Sequence, residues 1–168
     1  KTPIIRTKDF ILRPMTLADA RDYLELHQDN EAKKNFMSVP KNLAEAKKEI
    51  ANDLKDSKFF AIELDNKCIG FVHLRLNKNP RYRHSAIIGY GLNLAYRGRG
   101  IVTKAVKLVT DYGFKRLRLV RISGWCRTFN KASARVLEKC GYKLEGILRK
   151  NKCQNGKYLD DMLWAIVK

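Results

Sequence analysis

Residues 96–114 read YRGRGIVTKAVKLVTDYGF, and we expect the rest of the chain to be arranged around them. A basic turn, Arg97-Gly98-Arg99-Gly100, leads into a segment whose apolar residues recur at helical spacing. These apolar residues are Ile101, Ala105, Leu108, Val109 and Tyr112. A helix N-terminus carries unpaired N–H groups and about half a positive charge, and glycines let a phosphate approach closely. The pattern therefore predicts a pyrophosphate site here, although glycine and arginine are also common in ordinary loops.

The residues before this turn predict a β-strand with one nearly bare face. Its apolar positions alternate and are Ala86, Ile88, Tyr90, Leu92 and Leu94. The intervening positions include Gly89 and Gly91, and glycine inside a strand often marks close approach by another group. We therefore expect this strand to hold the extended arm of a ligand.

The glycine turn differs from two common phosphate-binding motifs. The chain has no P-loop pattern, and the turn does not continue to the third glycine of a Rossmann fingerprint. It resembles motif A of the GNAT acetyltransferases, whose pattern Gln/Arg-x-x-Gly-x-Gly/Ala is met by Arg97 and Gly100. Val102 occupies the last position of the pattern and departs from the small residue of the family.

A second region resembles one branch of the same family. Residues 130–146, NKASARVLEKCGYKLEG, are similar to the Asn-x-x-Ser…Lys-x-Gly-Phe/Tyr-x-x-Glu-Gly signature of the Rim-type branch, which includes ribosomal-protein-alanine acetyltransferases. Residues 156–161, GKYLDD, resemble the C-terminal hairpin of that branch. Together the matches cover most of residues 8–167.

The predicted elements follow the order β-α-α-β-β-β-α-β-α-β-β, which is typical of an α+β sheet with helices on its faces. The predicted strands cover residues 4–15, 59–64, 68–76, 86–94, 119–126, 142–148 and 158–167. The predicted helices begin after Thr16, where the first runs to about Asn30, and at Asn42, Ile101 and Asn130. The resemblance implies a GNAT fold in a single domain, residues 1–168. This fold has a mixed, mostly antiparallel sheet of about seven strands, splayed at the centre and flanked by about four helices.

The resemblance also implies acetyl-CoA as co-substrate and gives roles to named residues. Backbone groups of Leu92, Asn93 and Leu94 would pair with the pantetheine arm, and a backbone N–H near Leu92 would donate to the thioester carbonyl. The residues implied around the pyrophosphate are Arg97, Gly98, Arg99, Gly100, Ile101, Val102 and Thr103. Asn130 would lie beside the pantetheine arm, and Ser133 would face the thioester as the catalytic residue. By residue type alone, Asn130 is a helix N-cap and Ser133 a surface serine.

The usual acid-base positions of the family hold other residue types in this chain. Ile87, Leu137 and Lys152 stand where many members carry glutamate, tyrosine and glutamate. The remaining titratable candidates are His84, Glu145, Asp160 and Asp161. An ordered water with Ser133, or an amine that is already partly neutral, is the alternative.

Positive charge is concentrated in one part of the chain. The 168 residues carry a formal net charge of +18. Residues 1–65 contain twelve Lys/Arg and twelve Asp/Glu, whereas residues 66–168 contain twenty-three Lys/Arg and five Asp/Glu. This surface would attract a polyanionic cofactor and also indicates association with RNA or a ribosome. A GNAT-like RNA-binding module that catalyses weakly or not at all is therefore an alternative function.

Several classes of protein are disfavoured by the sequence. No run approaches the roughly eighteen apolar residues of a membrane span, and the first residues lack a signal-peptide core, so we expect a cytoplasmic protein without membrane association. The four cysteines show no metal-ligand spacing with the histidines, so we expect reduced thiols and no metal.

The leading hypothesis is transfer of acetyl to an amino group, most simply at a protein or peptide N-terminus, with ribosomal proteins as candidates. Acetylation of a small amine or an antibiotic is the alternative. The basic half would repel a cationic polyamine, although acidic residues in the first helices oppose that effect. The resemblance implies an acceptor pocket between residues 35–42 and the final hairpin. The sequence leaves the acceptor and the oligomeric state open.

Overall fold

One eight-stranded sheet organises the chain, and the computed structural model describes all 168 residues. The strands are β1 (Ile5–Arg6), β2 (Ile11–Pro14), β3 (Ser57–Leu64), β4 (Lys67–Leu76), β5 (Ser85–Leu92), β6 (Arg121–Arg127), β7 (Lys143–Gln154) and β8 (Lys157–Val167). Their order in the sheet is β1-β2-β3-β4-β5-β6-β8-β7. Every pair is antiparallel except β5 and β6, which are parallel. The chain therefore has the mixed, mostly antiparallel sheet of the expected α+β fold.

Five α-helices cover the two faces of this sheet. They are α1 (Ala20–Leu26), α2 (Asn30–Asn35), α3 (Leu43–Asp56), α4 (Ile101–Arg116) and α5 (Lys131–Lys139). α3 and α5 begin where their asparagines predict, since Asn42 Oδ1 accepts from Glu45 N at 2.9 Å and Asn130 Oδ1 from Ser133 N at 3.1 Å. None of the helices is long and apolar enough to cross a membrane.

Successive strand residues point to opposite faces, so each face has its own apolar core. The larger cluster lies under α4, where Phe60 and Val72 from the sheet pack with Val109. The smaller lies under α1 and α3, where Phe59 and Phe71 pack with helix residues such as Ile50. β5 and β6 form the centre of the sheet between these layers, and this position matters for the site.

Two predicted elements at the start of the chain are wrong in detail. The single edge strand predicted over residues 4–15 is two short strands, because the Thr7 hydroxyl bonds to Phe10 and turns the chain. The first helix ends at Leu26 instead of continuing to Asn30. Asp29 then accepts from Ala32 N at 3.0 Å and starts α2, as expected of a strong N-cap residue. With these two divisions the fold has eight strands and five α-helices, close to the expected counts of about seven and about four.

Candidate active site

The sheet opens into a V between its two parallel strands. β5 and β6 pair only at Ser85–Arg121, Ala86–Ile122 and Ile87–Ser123. Beyond Ile87, β5 continues to Leu92 and stays paired with β4, while β6 continues to Arg127 and stays paired with β8. The inner edges of both strands are therefore left without a strand partner, and a slot lies between them.

The backbone of β5 presents an unpaired donor to this slot. Asn93 N donates to Ile69 O at 2.8 Å, and Ser85 O accepts from Asn77 N at 3.3 Å. The backbone N–H and C=O groups of the odd-numbered residues along β5 therefore point toward β4. By the alternation of an antiparallel ladder, the N–H groups of Tyr90 and Leu92 face the slot. Arg97 Nε donates to the Leu92 carbonyl at 3.0 Å, so the N–H is the group that Leu92 has available for a ligand.

The N-terminus of α4 is open beside the slot. Its N-cap is Gly100, with φ of 74°, and no side chain caps the helix. The first helical bond runs from Lys104 N to Gly100 O at 3.1 Å, so the N–H groups of Ile101, Val102 and Thr103 have no helical acceptor. An added Cβ at Gly98 or Gly100 would meet no atom within 4 Å, so space for a ligand exists above the turn.

An ion pair fixes the turn that leads into α4. Arg97 donates to both carboxylate oxygens of Asp29, at 3.0 and 2.8 Å. Burial alone would raise the pKa of Asp29, but the Arg97 guanidinium and the backbone N–H groups of Ala32 and Glu31 together hold that pKa below its usual range. The Arg97 guanidinium is thus engaged with Asp29 and with Leu92 O, and the Arg97 N–H donates to Leu94 O at 3.3 Å, so Arg97 holds the turn in place.

The other predicted residues around this turn differ in their burial and in their hydrogen bonds. Asn93 is buried, and its side chain donates to Glu25 at 2.9 Å and accepts from Ala95 N at 3.0 Å. Leu94 is exposed, and Arg99 folds back so that its guanidinium donates to Ala95 O at 3.2 Å. Both the side chain and the backbone of Asn93 are therefore already hydrogen-bonded within the chain, since its N–H donates to Ile69 O at 2.8 Å and its carbonyl accepts from Tyr96 N at 3.0 Å.

Asn130 and Ser133 lie at the start of α5, on the other side of the slot. Ser133 Oγ is 2.7 Å from the Tyr90 hydroxyl, which also donates to the Ser133 carbonyl at 3.1 Å. Burial raises the pKa of Tyr90, so this hydroxyl stays protonated at neutral pH. The sequence interpretation did not include Tyr90 among the site residues. The alternation of side chains along the strand had nevertheless placed Tyr90 on the same face as Leu92.

Hydrogen bonds connect three segments around one slot, and one of these segments, the start of α5, is distant in sequence from the other two. The Tyr90–Ser133 bond joins β5 to the start of α5, and Cys140 Sγ at the end of α5 donates to Thr103 O at 3.4 Å in the first turn of α4. The predicted site residues on the end of β5, the start of α4 and the start of α5 thus surround the opening of the sheet.

The vacant acid-base positions have ordinary structural roles. The Ile87 side chain is 40% exposed, Leu137 is fully buried in the core, and Lys152 Nζ donates to Phe36 O at 3.0 Å. Three of the remaining candidates are also engaged: Glu145 pairs with Arg121, Asp160 accepts from Lys150 N, and Asp161 pairs with Arg127. His84 is an exposed residue just before β5.

His73 is a titratable group that the sequence interpretation did not consider. It pairs with Gly89 across β4 and β5, and its ring fills the space where a Cβ at Gly89 would lie. Burial lowers the pKa of His73 to about 4, and its Nδ1 has no hydrogen-bond partner. The imidazole is therefore neutral at pH 7 and lies on the face of β5 opposite Tyr90.

Comparisons with known proteins agree with this geometry. Residues 9–143 match the family model described as "Acetyltransferase (GNAT) domain". The "Probable N-acetyltransferase YjcK" of Bacillus subtilis (strain 168) is 32% identical over 189 aligned positions, which cover 98% of this chain and 97% of that protein.

Two solved structures with bound cofactor share the fold. RimL, a ribosomal L7/L12 alpha-N-protein acetyltransferase in complex with coenzyme A, superposes with a TM-score of 0.85 at 22% identity and 98% coverage of both chains. The microcin C7 self-immunity acetyltransferase MccE, in complex with acetyl-CoA and AMP, superposes with a TM-score of 0.81 at 25% identity, covering 96% of this chain and 94% of that one.

Proposed function

This chain belongs to the GNAT acetyltransferase family and uses acetyl-CoA as co-substrate, and we propose that it acetylates the amino group of a protein or peptide N-terminus. The observation that carries the proposal is the slot between β5 and β6, with the uncapped start of α4 beside it. A ligand that runs from a diphosphate to an extended thiol arm fits these two features together. A structural relative that acts on a ribosomal protein N-terminus supports the choice of acceptor.

The chain offers acetyl-CoA two kinds of backbone contact. The free N–H groups at the start of α4 would bind the pyrophosphate, because they combine unpaired donors with the positive end of the helix dipole. The slot-facing edge of β5 would pair with the pantetheine arm, next to Asn130. When bound, acetyl-CoA supplies an activated acyl group on a thioester.

Transfer then needs alignment, a donor for the carbonyl oxygen and a path for two protons. The amine nitrogen forms a bond to the acyl carbon while the carbon–sulfur bond breaks. Leu92 N–H would donate to the acyl oxygen as negative charge develops on it. The Tyr90–Ser133 pair would deliver a proton to the leaving thiolate, and the amine would lose its proton to water.

Many family members carry a tyrosine on the short helix, and in this chain Tyr90 of β5 would take its role. Leu137 occupies that helix position and is buried, whereas the Tyr90 hydroxyl reaches the same slot from β5. The hydroxyl is held by Ser133 and remains protonated because burial raises its pKa. We therefore assign Tyr90 and Ser133 together to proton delivery.

The proposal is tested by mass spectrometry of peptides incubated with the protein and acetyl-CoA. One peptide has a free N-terminus and an internal lysine, and its matched control has the same sequence with a blocked N-terminus. We expect acetylation of the first peptide at its α-amino group and none of the control. Acetylation of the lysine in both peptides, or of small amines only, would contradict the proposed acceptor.

A further inference from the structure

An open cleft of about 590 Å³ lies beside the slot, on the face of the sheet opposite α4. One wall is the connector between α2 and α3, with Phe36 and Met37, and the other is the β7–β8 hairpin, with Lys152. Hydrogen bonds join the two walls. Lys152 Nζ donates to Phe36 O at 3.0 Å and Gln154 Nε2 donates to Lys33 O at 3.2 Å. These two hydrogen bonds fix the walls of the cleft relative to each other.

The cleft continues to the edge of the acyl-transfer slot. The ring of Phe36 lies over Gly91, where an added Cβ would come within 2.5 Å of Phe36 Cζ. Gly91 precedes Leu92, whose N–H faces the slot. A chain lying in the cleft would thus have one end close to the atoms that we assign to transfer.

The charged groups that line the cleft are all positive. They are Lys33, Lys41 and Lys152, and none of the three belongs to an ion pair. Two carboxylates of α3 bond to the connector without lining the cleft: Glu45 accepts from Lys41 N and Glu49 from the Ser38 hydroxyl. No carboxylate lines the cleft, so the charge of its lining is positive.

A buried ion pair, Arg127 with Asp161, lies near Lys152. Arg127 is 3% exposed and pairs with Asp161 through Nη1, but its Nε and Nη2 have no partner. Burial and the positive charge of Arg127 lower the pKa of Lys152, despite the opposing effect of Asp161. The two cations are therefore close enough to act on each other.

We propose that this cleft binds carboxylate side chains of the acceptor, so that the preferred substrates are peptides or proteins with acidic residues just after the N-terminus. This specificity depends on the proposed function, because it concerns the acceptor of the same reaction. Complementary charge raises association rates and excludes acceptors of like charge. A polycationic amine would be excluded on the same grounds. The apolar residues of the cleft, such as Phe36 and Met37, favour a peptide over the phosphate backbone of RNA.

The test is kcat/KM for three peptides that share an N-terminal serine and differ in positions two to five, which are acidic, neutral or basic. We expect the acidic peptide to exceed the basic one by about 100-fold at low salt, with the gap narrowing as salt rises. The informative variant is Lys33→Glu with Lys41→Glu, which should reverse the preference. Its matched control is Lys34→Glu with Lys48→Glu, which makes the same charge change on the same part of the chain outside the cleft.

Each outcome bears on one of the two proposals. Peptide acetylation without charge preference, or equal effects of the two double variants, would overturn the acidic-acceptor proposal and leave N-terminal acetylation standing. Inhibition by an RNA oligonucleotide that only the cleft variant relieves, without peptide charge preference, would assign the cleft to RNA and also overturn it. Acetyl-CoA binding with no transfer to any peptide would overturn the proposed function itself.

Discussion

The hydroxyl groups of Tyr90 and Ser133 come from positions 43 residues apart and meet at 2.7 Å. Neither hydroxyl has an ionised neighbour at this contact that would make it a base, and burial keeps Tyr90 protonated. The pair is therefore suited to give a proton to a thiolate and not to take one from an ammonium group.

The first prediction concerns this pair. Tyr90→Phe and Ser133→Ala should each lower kcat by about 100-fold, a typical effect of general acid catalysis, with little change in KM for acetyl-CoA. Because the two hydroxyls act as one unit, the double variant should be about as slow as either single variant. Release of coenzyme A, followed with a thiol reagent, measures these rates. Independent, multiplying losses would show that the hydroxyls do not act together.

The second prediction concerns His73. Its pKa of about 4 in the folded protein lies below the ordinary value of 6.5, so the unfolded chain binds a proton first as pH falls. Stability should therefore decrease between about pH 6.5 and pH 4. His73→Gln should flatten this dependence in urea unfolding experiments at several pH values. An unchanged slope for His73→Gln would contradict the assigned burial.

At the scale of elements, the start of α4 depends on two glycines with positive φ. Gly98 has φ of 79° and Gly100 of 74°, conformations that side-chain-bearing residues adopt at a cost. The space above both is open, so strain and not collision limits substitution in the free protein. A bound phosphate would add a collision.

The third prediction follows from that distinction. Gly100→Ala should lower the free energy of unfolding by roughly 1–2 kcal/mol through strain and should weaken acetyl-CoA binding as well. Gly146→Ala is the matched control, because an added Cβ there also meets open space but Gly146 has no positive φ. Thermal melts and calorimetric titration measure the two effects. A Gly100→Ala protein with unchanged acetyl-CoA affinity would speak against a phosphate at this turn.

The fourth prediction tests the ion pair between Asp29, at the start of α2, and Arg97, in the turn before α4. Asp29→Asn should keep the N-cap of α2, since asparagine caps as well as aspartate, but lose the ion pair with Arg97. We expect a loss of roughly 1 kcal/mol at neutral pH. The folded pKa of Asp29 is below its ordinary 3.8, so this contribution is present above that pH and disappears as pH falls further. Unfolding free energies of the two proteins should therefore converge in acid, and a constant difference would contradict the ion-pair explanation.

Local signals explain which elements the sequence predicted well. The start of α4 at Ile101 follows from glycines and helical spacing, and the starts of α3 and α5 follow from their asparagine caps. The break after Leu26 was missed because residues 17–30 carry no glycine or proline. The weaker signal was Asp29, whose capping preference starts a new helix.

Contacts between distant elements explain what the sequence could not predict in the site. No local sequence pattern predicts the hydrogen bond between Tyr90 and Ser133, the packing of His73 against Gly89, or the hydrogen bond from Lys152 to the Phe36 carbonyl. These contacts depend on the register of β4 against β5 and on where the final hairpin ends. They determine which side chains surround the slot, which is why these neighbours could be identified only from the structure.

At the scale of the whole molecule, the net charge of +18 exceeds what one phosphorylated co-substrate requires. All of the excess lies in residues 66–168, which contain the slot, α4, α5 and the final hairpin. We propose that this surface also associates with RNA or with a ribosome, where acceptor proteins would be close at hand.

The fifth prediction tests that association. The protein should bind an RNA oligonucleotide with an affinity that falls steeply as salt increases, because phosphate contacts release counterions. Fluorescence anisotropy at several salt concentrations measures the slope. Saturating acetyl-CoA should leave most of this binding intact, since the positive charges extend well beyond α4. Salt-independent binding, or none at low salt, would contradict the proposal.

The central claim is that the free amides at the start of α4 and the inner edge of β5 hold acetyl-CoA. An NMR titration of isotope-labelled protein with acetyl-CoA tests it at the residues concerned. We predict saturable shifts concentrated in the amides of residues 98–103, of Leu92 and of Ser133. Binding that shifts other amides and leaves these unchanged, or no saturable shift below millimolar acetyl-CoA, would contradict the claim.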